Sequence, residues 1–179
     1  LKLIIGSLFA LIAGPAWADG YWEYGSWRVD VQEVDTGEDL RRTCSAVTGG
    51  DGSPSVQVSM SNGDAGPPDY FPTVLISEHA PRGHGTVLQD GQAAYIRFDN
   101  EESMDGAVSG FFDEEGFANA EIAFDHPLSQ WVLRAMRLNG QFDVVVEGNV
   151  FMYVYLDGFT ASYLKMAEEC GFSGAGVID

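Results

Sequence analysis

Residues 26–34 alternate polar and apolar side chains, with Trp27, Val29 and Val31 all on one side of an extended chain. Residues 55–61 do the same with Val56, Val58 and Met60. Successive strand side chains point to opposite faces, so this period of two predicts half-buried strands with one face on a core and one in water. Residues 40–47, after a Thr36-Gly37 turn, read as the strand between them, and 73–77 as a further, more buried strand. The stretch 62–72 is rich in Gly, Pro and Asp and reads as a loop. Residues 86–88 and 94–98 flank Asp90-Gly91, a pair that signals a hairpin between apolar runs.

The pattern changes after residue 98. Residues 99–116 are acidic, with one apolar break at Phe111-Phe112, and 120–124 read as one more strand. Leu128, Trp131, Val132, Ala135 and Met136 then recur at helical spacing. Asp125 or His126 is placed to cap that helix and Pro127 suits its first position. Arg134 and Arg137 complement its C-terminal dipole, and Gly140 is expected to end it. Residues 142–147 and 150–156 form a second predicted hairpin. A last helix over 159–170 gathers Phe159, Tyr163, Met166, Ala167 and Cys170 on one side, with Gly171 as its stop. Strands first and helices late predict an α+β fold: a mainly antiparallel sheet or sandwich covered by two amphipathic helices.

The first 18 residues read differently. Lys2 precedes an almost wholly apolar run, residues 3–13, and then Gly14-Pro15 and Ala16-Trp17-Ala18. A basic start, an apolar core and a small-x-small site define a secretion signal. The apolar run is shorter than the roughly 20 residues that cross a bilayer. The expected products are a signal peptide over 1–18 and a single β-rich exported domain over 19–179, periplasmic or secreted, with no stable membrane insertion. An uncleaved N-terminal anchor is the alternative.

Cys44 and Cys170 are the two cysteines. An even pair in an oxidising compartment predicts a disulfide from an early strand to the last helix. Two buried free thiols are the alternative. The bond requires Cα atoms about 4.4–6.8 Å apart, so the last helix must lie across the second strand. Arg42 shares a strand face with Cys44 and is expected at the sheet's rim, stem packed and head in water.

Nine basic residues stand against 27 acidic ones, a net charge of −18. Loss of Lys2 with the leader takes it to −19. Such a surface repels nucleic acid and anionic lipid, and favours either a cationic protein partner or simple solubility.

Reactive residues form no recognised pattern. His79 and His84 flank residues 80–83, with Glu78 beside His79, but adjacent strand residues face opposite ways. Gly-x-Ser-x-Gly is absent. The acidic stretches 99–105 and 113–115 lack the alternating Asp spacing and sixth-position Gly of a helix–loop–helix calcium site, and read as solvated loops. No catalytic residue, metal ligand or cofactor is expected. Tyr21, Trp22 and Tyr24 precede the first expected strand, either as a contact surface or folded back on the sheet.

The opening 25–29, followed by Cys44 after a Thr-Gly turn, resembles the start of invasion-associated locus B family proteins, exported proteins of alphaproteobacteria. The basic-ended helix in 125–138 and the strand, Gly turn and Ala-containing helix in 155–164 resemble the family's ending. Asp30 stands where family members often carry a cysteine, and 99–118 hold none of their mid-chain pair. The resemblance implies an exported, β-rich domain and no defined mechanism.

Three functions fit: a non-enzymatic binding domain for a protein partner, an envelope hydrolase whose residues meet only in the fold, or an inhibitor of a cationic lytic enzyme. The first is the leading expectation.

Overall fold

A computed structural model describes residues 20–52 and 54–179. The expected signal peptide and its cleavage site lie outside the described residues.

Among the described residues, eleven strands and two helices follow in chain order: β1 Gly20–Tyr24, β2 Trp27–Asp35, β3 Leu40–Gly49, β4 Ser55–Ser61, β5 Val74–His79, β6 Ala93–Phe98, β7 Ser103–Ala107, β8 Ser109–Phe112, β9 Ala118–Phe124, α1 Leu128–Leu138, β10 Gln141–Val146, β11 Asn149–Tyr155 and α2 Phe159–Cys170. They build a seven-stranded sheet, order β1-β2-β3-β4-β5-β9-β8, and a four-stranded sheet, order β11-β10-β6-β7. Every pairing is antiparallel, so the fold is α+β as the strand-then-helix order predicts.

Register follows from the alternation. Val31 faces Cys44 and Cys44 faces Met60; Val29 faces Ala46 and Ala46 faces Val58. Val58 faces Val74, which faces Phe124, so one continuous apolar face runs across the larger sheet. A one-residue slip would turn that whole face outward, which fixes the pairing. α2 lies on this face over β1–β4, and α1 packs on β5 and β9. The smaller sheet closes the rest, adding Ile96, Phe98, Phe142 and Val144 to the same core cluster. At that contact a Cβ on Gly106 of β7 would come within 2.9 Å of Ile122 on β9, so only glycine lets the layers approach this closely.

The disulfide forms: Cys44 and Cys170 are bonded with Cα atoms 6.1 Å apart, at the end of α2. Arg42 is better held than expected. Its head forms ion pairs with Glu33 and with Glu169, and donates to the Glu169 backbone carbonyl at 3.0 Å. The arginine therefore ties the last turn of α2 to β3 beside the bond.

Five local expectations need correction. Residues 86–88 are not a strand, because the carboxylate of Glu78 accepts the backbone N–H groups of Val87 and Leu88 at 2.8 and 2.9 Å. The Asp90-Gly91 turn therefore makes no hairpin; β6 pairs with β7 and β10 instead. Asp90 accepts the N–H of Gly110, covering part of the β8 edge. The acidic stretch contains β7 and β8, joined through buried Val108, where the chain passes from one sheet to the other. Asn139, not Gly140, caps α1 at its C-terminus, and no side chain caps its N-terminus at Pro127. Gly20–Tyr24 form an edge strand, with Trp22 and Tyr24 packed against the core. Lys165 of α2 sits 4.3 Å above the Trp22 ring, which holds that edge to the helix.

Candidate functional site

Among the described residues, two sheet faces stay uncovered by the layers, and alternation decides what each presents. On the smaller sheet, Tyr95, Arg97, Gln141, Asp143, Tyr153 and Tyr155 alternate with core residues of β6, β10 and β11 and so face outward. Asp143 lies opposite both Arg97 and Tyr153, and Gln141 opposite Tyr155. Tyr153 and Tyr155 keep 60% and 59% of their surface exposed, high for rings on a sheet. Arg97 pairs with Asp143 at 2.9 Å, and Gln141 donates to the other Asp143 oxygen at 2.9 Å. The hydrogen bond to Asp143 holds the Arg97 guanidinium above its already high ordinary pKa.

Next to these tyrosines is a depression of about 280 Å³, lined by Arg97, Phe98, Asp99, Glu101, Gln141 and Asp143. Three carboxylates against one guanidinium leave it a net charge of −2. Asp99 is anchored there by the N–H of Gly140 at 2.9 Å. An acidic recess with Tyr153 and Tyr155 on the strand next to its Asp143 and Gln141 offers a cationic side chain Coulomb attraction with aromatic faces one strand away.

The larger sheet's outer face differs. Thr43, Ser45, Ser55, Gln57, Ser59, Ser61 and Ser77 alternate with its core residues. Several join across strands: Thr43 to Ser61 at 2.7 Å, Ser55 to Ser77 at 3.0 Å and Gln57 to Ser45 at 3.2 Å.

The histidines do not converge. His79 hydrogen-bonds Asn119 through Nδ1, His84 is exposed after a turn, and the His126 ring lies 4.7 Å from that of Tyr70 and 6.0 Å from that of Phe71. Glu78, the carboxylate beside His79, is committed to backbone N–H groups. Asp113 accepts the N–H groups of Glu115 and Phe117 at 3.0 and 2.8 Å, so it shapes its own loop. The Phe117 bond, first among these, holds its carboxyl below the usual range. Among the described residues no group of three or more His, Cys, Asp and Glu is placed to hold a metal.

Sequence reasoning found the acidic stretch at Asp99 and Glu101 but missed its meeting with Asp143 and the tyrosines. The outward half of the 150–156 alternation carried that signal, because Tyr153 and Tyr155 occupy the positions that core residues leave free.

These layers define a disulfide-stapled, two-sheet α+β domain with helical cover and two polar outer faces. Comparison with protein families, with characterised proteins and with solved structures finds no match to this chain.

Proposed function

We propose that this chain is an exported, non-enzymatic binding domain for a cationic protein partner, periplasmic or secreted, and a divergent relative of the invasion-associated locus B proteins it resembles. The observation that carries the reading is the acidic recess of Asp99, Glu101 and Asp143 beside exposed Tyr153 and Tyr155. Tyrosine is enriched at binding hot spots, and a partner's Lys or Arg entering the recess would meet net negative charge. The overall charge of −18 adds long-range attraction for basic proteins. The disulfide is compatible with an oxidising compartment, and no helix among the described residues is long and apolar enough to cross a membrane.

The test is a binding titration against a panel of basic proteins, lytic enzymes such as lysozyme included, at about 0.05 and 0.5 M salt. Saturable binding at low salt that weakens at high salt is expected. Glu101→Gln with Tyr155→Ala should weaken it about tenfold or more. Retention of no basic protein at low salt would count against the reading. Loss of a lytic enzyme's activity in the complex would identify the partner class as that enzyme.

A further inference from the structure

A depression larger than the acidic recess lies elsewhere, on the outer face of the larger sheet over β1–β4. It has a volume of about 660 Å³, within the roughly 300–1,000 Å³ of small-ligand sites. Tyr21, Arg28, Asp30, Gln32, Ser45 and Gln57 supply its ring and its polar groups. Its charge sets it apart from the rest of the molecule. In a chain of net charge −18, the only charged residues in this lining, among the described residues, are Arg28 and Asp30. They pair with each other at 3.3 Å, so the described lining is balanced in charge, with the Glu23 carboxylate at its margin beside Tyr21.

The polar groups are held in place from below and leave capacity above. Arg28 is fixed by Asp30 and by donating to the Gly49 carbonyl at 3.1 Å. Gln57 donates its amide to Ser45 at 3.2 Å. Among the described residues, no hydrogen bond uses Oδ1 of Asp30, Oε1 of Gln57, Nη2 of Arg28 or the Gln32 amide. Tyr21 stands at the margin, 56% exposed, its hydroxyl donating to Glu23 at 2.5 Å. That bond pins the ring, so a ligand stacking on it loses little side-chain entropy.

We infer that this depression is a binding site for a neutral, hydroxyl-rich ligand of the oligosaccharide class. Hydroxyl groups both donate and accept, which matches a lining of carboxylate, guanidinium, amide and hydroxyl groups held at fixed positions. The apolar face of a pyranose ring suits the exposed Tyr21 ring. The balanced charge gives a cationic protein no advantage here, and an anionic polymer would meet the acidic remainder of the molecule. This site is on the opposite sheet from the acidic recess and does not depend on it.

The experiment is calorimetric titration of the purified chain with neutral hexasaccharides: β-1,4-glucan, α-1,4-glucan, β-1,4-xylan, β-1,4-mannan and β-1,4-linked N-acetylglucosamine. Saturable binding of at least one, at concentrations up to about 5 mM, is expected. The affinity should change less than about twofold between 0.05 and 0.5 M salt, because the ligand carries no charge. Tyr21→Ala and Gln57→Ala should each weaken binding about tenfold, and Tyr153→Ala on the other face should leave it unchanged. Gln57→Glu, nearly isosteric, serves if Gln57→Ala does not fold. Binding of none of the five, or equal binding by folded Tyr21 and Gln57 variants, overturns the inference.

Discussion

Arg42 joins three parts of the chain that are far apart in sequence. Its guanidinium bonds Glu33 on β2 at 2.6 Å through Nε and reaches the Glu169 carbonyl in the last turn of α2 at 3.0 Å. Its removal leaves the carboxylate of Glu33, only 14% exposed, without its cation, while Glu169 keeps its ion pair with Lys165 at 2.6 Å. Arg42→Ala is therefore expected to lower unfolding free energy by about 1–3 kcal/mol, measured by urea denaturation. Arg42→Lys should recover only part, since an ammonium cannot reproduce the fork that spans strand and helix. The sequence placed Arg42 at the rim of the sheet correctly. It did not reveal the partners, because Glu33 and Glu169 are brought to it by strand register and by the helix crossing, neither of which is a local property.

At the scale of elements, the segments most recognisable in the sequence turn out to meet. Ser26 donates its backbone N–H to the Asp157 carbonyl at 3.0 Å and its hydroxyl to the Asp157 side chain at 2.7 Å. The Trp27 indole donates to the Tyr155 carbonyl at 2.9 Å. The β1–β2 turn thus rests on the start of α2. Gly158 makes that approach feasible: its φ is +89°, and a Cβ there would overlap the carbonyl of Tyr24. Gly158→Ala combines left-handed strain with a backbone clash, so a loss of about 3 kcal/mol or more is expected in thermal or urea unfolding. Strands with clean alternation, such as β2 and β4, were legible because burial on one face writes the period directly. The strands β7 and β8 were not. In β7 the inward positions are Met104 and Gly106 while Asp105 faces out, and Gly106 is required by its contact with Ile122, not by any pattern in its own segment. The candidate site was legible only in pieces, since its carboxylates come from β10 and from the β6–β7 turn.

For the whole molecule, two faces of different electrostatic character follow from one two-layer plan. The recess on the smaller sheet carries net negative charge, and the depression on the larger sheet is balanced. Salt should therefore separate the two proposed ligands, weakening one interaction and sparing the other. The same plan depends on its covalent tie. Cys44 and Cys170 are 126 residues apart in sequence, and in the chain-entropy account a loop that long contributes up to about 4–5 kcal/mol. Reduction should lower the melting temperature by roughly 10 °C in calorimetry, and Cys44→Ser or Cys170→Ser should reproduce most of that shift. A melting temperature unmoved by reductant would show the bond to be energetically idle.

The bond between Cys44 and Cys170 also has a consequence for durability in a protease-rich setting. The exposed loop at 62–66 and the turn at 81–85 both lie inside the segment it encloses. A protease that cuts either one separates the polypeptide into two pieces in sequence only. The pieces stay linked through the sulfurs and hold each other's strands in the same sheets. Such a nicked molecule would migrate as one chain on a non-reducing gel and as two after reduction, and its two outer sheet faces would outlast the first cut.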